Sequence, residues 1–158
     1  MLFFHAATFR FGAVGTTFSS MQIWDSPEPR GEAKRPTVER LILLVEDDFV
    51  LRSSLSELLI AEGFRVECAA DGREALRRLS RTPAPDIILL DIMLPHLDGF
   101  ELRALQKRSP LVANIPVLVI SAYDLDPQSV DELGLPPPFR KPLDVEKLLS
   151  TIRDLTAA

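Results

Sequence analysis

From residue 41 onward, the chain alternates between short apolar runs and longer segments with helical spacing. The first run, Leu41–Val45, is continuous, which is the pattern of a strand buried on both faces of a parallel sheet. A helical pattern follows, with leucines spaced i, i+4, i+7 and i+8 at Leu51, Leu55, Leu58 and Leu59. Gly63 stands where the C-cap of this helix belongs. The sequence therefore predicts a strand followed by a helix.

The strand-then-helix pattern recurs along the rest of the chain. Further strands are predicted at residues 65–70, 86–91, 115–121 and 139–141. Further helices are predicted at residues 72–81, 99–109 and 127–133. A last helix begins at the N-cap Asp144, and its apolar stripe consists of Val145, Leu148, Leu149, Ile152 and Leu155. Five strand–helix pairs predict the α/β class, a doubly wound parallel sheet with helices on both faces.

The first forty residues differ in character from the rest. Residues 1–20 hold five of the nine Phe but lack a basic start and a clear cleavage site, which argues against a signal peptide. Translation beginning at Met21 would explain them equally well. Residues 25–40 carry three Pro, one Gly and mixed charges, as flexible tethers do. We therefore expect a disordered leader and linker at 1–40 and one domain at 41–158.

Composition narrows the function classes. Eighteen Lys and Arg against 23 Asp and Glu give a net charge of −5, which argues against nucleic-acid binding. No apolar run is long enough for a transmembrane helix. Cys68 is the single cysteine, so an internal disulfide is excluded, a buried structural thiol is expected, and a reducing, cytoplasmic location is favoured.

Polar residues interrupt the chain where the predicted strands end. They are Glu46, Asp47 and Asp48 after the first strand, Asp91 in the third, Ser121 in the fourth and Lys141 in the fifth. In a parallel α/β sheet these ends share one edge, where ligands bind. Crowded carboxylates repel one another unless a cation lies among them, and an all-oxygen set suits Mg²⁺. Taken singly, Asp48 or Asp98 could equally be a helix N-cap.

The motifs LILLVEDD, PDIILLDIMLPHLDGFEL, IPVLVISA and FRKPLD resemble, in this order, the signature blocks of response regulator receiver domains. The resemblance covers residues 41–157. It implies the flavodoxin-like fold, in which five parallel strands lie in the order 2-1-3-4-5.

The resemblance also implies a role for each polar position. Asp91 matches the phosphoacceptor, Asp47 a direct metal ligand and Glu46 a ligand through water, and Met93 would offer its backbone carbonyl to the metal. Ser121 and Lys141 match the hydroxyl and the lysine that contact the phosphoryl group, and the bond to Pro142 is cis in similar proteins. The implied reaction transfers a phosphoryl group from a sensor histidine kinase or phosphotransfer protein to Asp91 with Mg²⁺, or Mn²⁺ in its place.

The implied protein signals by docking to a downstream protein and is not an enzyme beyond its own phosphorylation and dephosphorylation. The chain ends soon after the last predicted helix, so we expect no output domain to follow. The alternative is a pseudo-receiver, which works without phosphorylation. Such proteins usually lack the acidic pair, the phosphoacceptor or the lysine, whereas this sequence keeps all of them. A haloacid-dehalogenase-type phosphohydrolase and a flavodoxin fit less well. The first needs an Asp where Glu46 stands, and the second needs a phosphate loop that the acidic residues would repel.

Two departures from the family pattern carry expectations. Met93 and Tyr123, two residues beyond Asp91 and Ser121, offer no acid or amide to orient an attacking water, so slow self-dephosphorylation is expected. Pro138 stands three residues before Lys141, where members commonly carry an aromatic residue that moves on activation. Phe139, one place along, should point into the core. The usual aromatic coupling is therefore expected to be missing.

Overall fold

The computed structural model describes residues 39–157, so the expectations for the leader lie outside the described residues. Five strands form one parallel sheet in the order β2-β1-β3-β4-β5. The strands are β1 (Leu41–Val45), β2 (Arg65–Ala69), β3 (Ile87–Asp91), β4 (Val117–Ser121) and β5 (Phe139–Arg140). The helices are α1 (Phe49–Ala61), α2 (Gly72–Leu79), α3 (Gly99–Arg108), α4 (Pro127–Leu133) and α5 (Val145–Thr156). The predicted class and strand order are confirmed.

The three central strands are apolar along their whole length because both faces of the sheet are covered. Every residue of β1, β3 and β4 is buried. On one face, side chains such as Leu43, Leu90 and Val119 pack with α2, α3 and α4. On the other face, Leu44, Leu89 and Ile120 pack with α1 and α5. These two apolar layers fix the sheet and therefore the edge at which its strands end.

An aspartate caps the N-terminus of each described helix. Each carboxylate accepts a hydrogen bond from a backbone N–H in the first turn, and the caps are Asp48, Asp71, Asp98, Asp126 and Asp144. Each cap satisfies one of the amides that a helix leaves unpaired, and its negative charge opposes the positive end of the helix dipole. The N-cap role predicted for Asp144 is confirmed, and Asp48 and Asp98 take the N-cap role that the sequence left open.

Some predicted details need correction. β4 begins at Val117 rather than at 115, because Ile115 closes a turn onto Val112 and Pro116 has no N–H to donate. In α5 the buried position near the end is Thr156, whereas Leu155 is 43% exposed. Cys68 is only half-buried, beside the α1 layer, since β2 is an edge strand.

The elements between Ser121 and Lys141 are short, and α4 (Pro127–Leu133) has only seven residues. β5 has only two residues, and α4 has no fully buried side chain. Phe139 packs against the core layer beside α1 and α5, which confirms its expected direction. The Lys141–Pro142 peptide bond is cis, also as expected, and the Thr82–Pro83 bond is cis as well.

Gly99 allows α3 to begin directly against β3. A Cβ atom at this position would lie 2.7 Å from the Asp91 carbonyl oxygen and 2.7 Å from the Ile92 Cα. Both neighbours are backbone atoms of the strand end that carries Asp91, so they cannot move without displacing that residue. The contact makes Gly99 a requirement of the local packing.

We predict that Gly99→Ala lowers the free energy of unfolding by about 1–3 kcal/mol, because the added methyl group overpacks the end of β3. Urea denaturation followed by circular dichroism measures this change. Ser54→Ala, at an exposed position on α1, is the control and should stay within about 0.5 kcal/mol of the wild type. A Gly99→Ala protein as stable as the wild type would contradict the assignment.

Candidate functional site

Three strands deliver four polar side chains to the edge where the strands end. Glu46 and Asp47 follow β1, Asp91 is the last residue of β3, and Lys141 follows β5. Glu46 and Asp91 are 1% and 4% exposed, whereas Asp47 is exposed. The buried strands thus hold two carboxylates in the protein interior, and the third faces solvent.

Lys141 joins the two buried carboxylates. Its Nζ atom lies 2.5 Å from Asp91 Oδ2 and 2.8 Å from Glu46 Oε2. The second oxygen of Asp91, Oδ1, accepts a hydrogen bond of 2.8 Å from the backbone N–H of Met93. Both oxygens of Asp91 therefore have donors, which fixes the plane of its carboxylate.

Burial and mutual repulsion disfavour the charged forms of the two buried carboxylates. Burial raises the pKa of Glu46, and the charge of Asp91 raises it further, although Lys141 acts in the opposite direction. Burial alone would lower the pKa of Lys141, but its hydrogen bonds to Asp91 and Glu46 outweigh burial, so the pKa is raised. One ammonium group thus serves two carboxylates that also repel each other.

The cluster fits a hard divalent cation. Glu46, Asp47 and Asp91 can each place one carboxylate oxygen within 4.8 Å of the others. These oxygens are the ligands that Mg²⁺ prefers, and exposed Asp47 leaves one side open to the waters that Mg²⁺ retains. Among the described residues, Lys141 forms ion pairs with two of these three carboxylates, Glu46 and Asp91, so negative charge is left for such a cation to neutralise. The ligand role of the Met93 carbonyl stays a prediction.

Ser121 lies at the same edge but is engaged elsewhere. β3 pairs with β4 so that Asp91 is level with Ile120, which puts Ser121 one residue beyond. The Ser121 hydroxyl donates to the Tyr123 carbonyl oxygen (2.8 Å) and accepts from the Tyr123 N–H (3.0 Å). Within residues 39–157, the hydroxyl makes no hydrogen bond to Asp91. The structure therefore brings Glu46, Asp47, Asp91 and Lys141 together and leaves Ser121 beside them.

Arg52 is a residue that the sequence analysis missed. Its Nη1 atom donates to the backbone carbonyls of Glu46 (2.6 Å) and Asp47 (3.0 Å) from the first turn of α1. It thereby ties the acidic loop to the helix without occupying either carboxylate. An arginine one turn after the acidic run is its only signal in the sequence, and that signal is weak because most helical arginines face solvent.

Chemically, the arrangement can present a carboxylate oxygen as a nucleophile. Asp91 is held between a backbone donor and an ammonium group, and with Glu46 and Asp47 it could hold a cation. Lysine acts as a movable point charge that can follow an oxygen anion. These features suit transfer of a strongly anionic group.

Within the described part of the chain, no helix is both long enough and apolar enough to cross a membrane.

The sequence matches the response regulator receiver domain family over residues 42–153. The chain is 34% identical over 114 residues to sporulation initiation phosphotransferase F of Bacillus subtilis, covering 71% of this chain and 90% of that protein. It is 39% identical over 117 residues to the response regulator MprA of Mycolicibacterium vanbaalenii, covering 72% of this chain and 49% of that protein.

Among solved structures, the chemotaxis response regulator CheY4 of Vibrio cholerae superposes with a TM-score of 0.68 at 28% identity. The match covers 74% of this chain and 98% of that one.

Length separates these relatives into two kinds. The chain spans about half the length of several regulators that it matches, including MprA and the alkaline phosphatase synthesis transcriptional regulatory protein SphR of Synechococcus elongatus. It spans nearly all of the sporulation phosphotransferase. The similarity therefore concerns the domain built on the five-stranded sheet. By its sequence match, its strand order and its acidic edge, this chain belongs to the response regulator receiver domain family of two-component systems.

Proposed function

We propose that this chain accepts a phosphoryl group on Asp91 in a Mg²⁺-dependent reaction and signals by docking to another protein. The observation that carries the proposal is the position of Asp91, a buried carboxylate held against Lys141 and next to Glu46 and Asp47. A purely structural ion pair would need neither a second buried carboxylate on the same ammonium group nor a third carboxylate beside them.

The proposed transfer uses groups that are already in place. A carboxylate oxygen of Asp91 attacks the phosphorus of a phosphohistidine, an O–P bond forms, and the N–P bond to the histidine breaks. The bonding electrons stay on the imidazole nitrogen of the donor. Lys141, now beside Asp91 Oδ2, then follows an oxygen of the new phosphoryl group, because its flexible stem can move by a few bonds.

Glu46, Asp47 and Asp91 would hold the cation, with the Met93 carbonyl as a further expected ligand. When bound, Mg²⁺ supplies charge neutralisation for the phosphoryl oxygens and keeps them aligned for in-line attack. Arg52 contributes indirectly, since it holds the backbone of the acidic loop in one position.

Signalling would begin at Ser121. Its hydroxyl must release the Tyr123 carbonyl in order to donate to a phosphoryl oxygen, and this exchange would move the segment after β4. Pro138 has no aromatic ring to follow the movement, so the usual aromatic coupling remains expected to be missing. The donor would be a sensor histidine kinase or phosphotransfer protein, and the receiving partner a protein of unknown identity.

We also propose that the chain catalyses nothing beyond its own phosphorylation and dephosphorylation, in the cytoplasm. The sporulation phosphotransferase relative, which this chain spans almost completely, supports a role in a phosphorelay. The alternative of a phosphorylation-independent interaction module has no support in damaged residues, because the acidic pair, Asp91 and Lys141 are all present.

We predict that Asp91→Asn abolishes labelling by radioactive acetyl phosphate, because an amide cannot attack phosphorus. Labelling of the wild type should require Mg²⁺ or Mn²⁺ and fall by roughly tenfold or more in Asp47→Ala. Asp154→Asn, which removes an exposed carboxylate on α5, should label like the wild type. Metal-independent labelling of Asp91→Asn would refute the mechanism, and an unlabelled wild type would favour the interaction module.

Mg²⁺ that binds the acidic cluster should stabilise the fold, by an amount that rises with the logarithm of its concentration above its Kd. At ten times its Kd, Mg²⁺ should add about 1.4 kcal/mol to the free energy of unfolding, measured by thermal denaturation. Asp47→Ala should lose this gain, whereas Glu57→Ala, an exposed carboxylate on α1, should keep it. Equal stabilisation of both variants would place the cation elsewhere.

The stabilisation of the fold by Mg²⁺ should also depend on pH. Because the pKa of Glu46 is raised in the fold, the metal-free protein gains stability below that pKa and loses it as the pH rises through it. Mg²⁺ competes with the proton on Glu46, so the stabilisation by Mg²⁺ should grow with pH in the same window. Stabilisation that is constant with pH would mean that Glu46 does not take part.

The phosphorylated protein should lose its phosphoryl group slowly. Met93 and Tyr123 are 58% and 64% exposed, and neither side chain carries an acid or an amide that could orient water. The double variant Met93→Asn, Tyr123→Glu should shorten the lifetime by at least roughly tenfold, because the new groups can orient water. Release of labelled phosphate measures this, with Ile60→Asn as an exposed control. An unchanged or longer lifetime in the double variant would show that these positions do not set the rate.

A further inference from the structure

A second feature lies at the opposite edge of the sheet from Asp91. There, the C-terminal ends of α2 and α3 and the loops that lead into β3 and β4 enclose a groove of about 420 Å³. Its walls include Leu76 and Leu79 from α2 and Leu105 and Leu111 from α3 and the loop that follows it. The phosphoacceptor site uses none of these residues.

The groove is lined by apolar side chains that the fold leaves in solvent. Leu111 is 91% exposed and Leu105 is 39% exposed, although both could have been polar at no cost to the core. Exposed leucines that share one concave site are a recognised sign of a binding surface, whereas scattered ones are not.

Gln106 makes the groove a preformed one. This buried side chain donates to the carbonyls of Val112 (2.9 Å) and Ile115 (3.0 Å) and accepts from Arg103 (2.7 Å). It thereby pins the loop that carries Leu111 to α3. A ligand entering the groove would not have to order that loop first, which lowers the entropic cost of binding.

The rim of the groove is basic in a chain whose net charge is −5. Arg81 lines the groove, Arg77 lies one turn earlier at the end of α2, and Arg108 precedes the lining residue Ser109 at the end of α3; all three are exposed. Among the described residues, none of these three side chains has an ion pair or hydrogen bond.

Acidic residues do not cancel this rim. Residues 75–85 and 102–123 contain no Asp or Glu. Glu74 accepts a hydrogen bond from the Ala70 N–H and contacts Arg78, and Glu101 accepts one from the Asp98 N–H. Both of these nearby carboxylates are therefore committed to other partners.

We propose that this groove binds an acidic amphipathic helix of a partner protein. A row of apolar side chains would enter between α2 and α3, and flanking carboxylates would meet the arginine rim. A concave leucine-lined groove fits a helix better than a nucleic-acid backbone, which offers phosphates but no apolar ridge. Because the groove lies at the far edge of the sheet, binding does not require phosphorylation of Asp91.

The test uses the full chain and a labelled synthetic peptide of about four helical turns, with leucines along one face and glutamates beside them. Fluorescence anisotropy should show saturable binding. Leu111→Asp and the double variant Arg77→Glu, Arg81→Glu should each weaken it by about tenfold or more. Leu111 is so exposed that its replacement should not unfold the protein, which circular dichroism checks.

Matched controls distinguish binding in the groove from nonspecific binding of the peptide. The double variant Ile60→Asp, Arg65→Glu changes an exposed apolar residue and a cation at a different surface, beside Phe64, and should leave binding within roughly twofold. A peptide of the same composition but scrambled order should bind at least about tenfold more weakly. Asp91→Asn should bind like the wild type, so failure of the phosphorylation mechanism and failure of this proposal are distinguishable.

Several outcomes would overturn the proposal. Equal binding of the scrambled peptide would reduce the effect to charge, and binding that survives Leu111→Asp would place the peptide elsewhere. Tighter, Leu111-dependent binding of transfer RNA or of phosphatidylglycerol vesicles would assign the groove to another class of ligand. Sedimentation showing self-association that Leu111→Asp abolishes would assign the groove to a second copy of the chain.

Discussion

The contact on which the site depends is the bridge from Lys141 to Asp91 and Glu46. It joins residues separated by 50 and 95 positions, at the ends of three strands. Burial of the two carboxylates makes them costly unless the ammonium group is present, so the ends of β1 and β3 and the residue after β5 must be held at fixed separations. The apolar layers on both faces of the sheet provide that fixed frame. Chemistry and fold are therefore coupled through one lysine.

The sequence was sufficient for the fold because its strongest signals are the ones set by burial. Continuous apolar runs locate the central strands, and every residue in β1, β3 and β4 is buried. The strand order came from the resemblance. Local effects were harder to predict: Pro116 delays the start of β4, and the buried stripe of α5 continues from Ile152 to Thr156, four residues on, instead of to Leu155, three residues on. Such details depend on three-dimensional packing, which periodicity alone does not contain.

In the candidate site too, some features could be predicted from the sequence and others depend on local three-dimensional packing. Residues at strand ends could be predicted, because a parallel sheet brings such ends to one edge, and Glu46, Asp91 and Lys141 do meet there. The hydrogen bonds of Ser121 with Tyr123 could not be predicted, since a hydroxyl has several partners of similar energy within reach. The role of Arg52 could not be predicted either, because its partners are backbone carbonyls, which the pattern of side chains does not indicate.

The five aspartate caps bear on how selective this edge is toward anions in solution. Every helix of the described domain follows a strand, so each begins at the edge that carries Asp91, and five helix dipoles direct their positive ends toward it. Uncapped, these N-termini would attract free phosphate and sulfate without discrimination. A carboxylate already occupies each one. The capped helix ends therefore attract free dianions less than uncapped ends would, and they contribute little to the recognition of an anion at this edge.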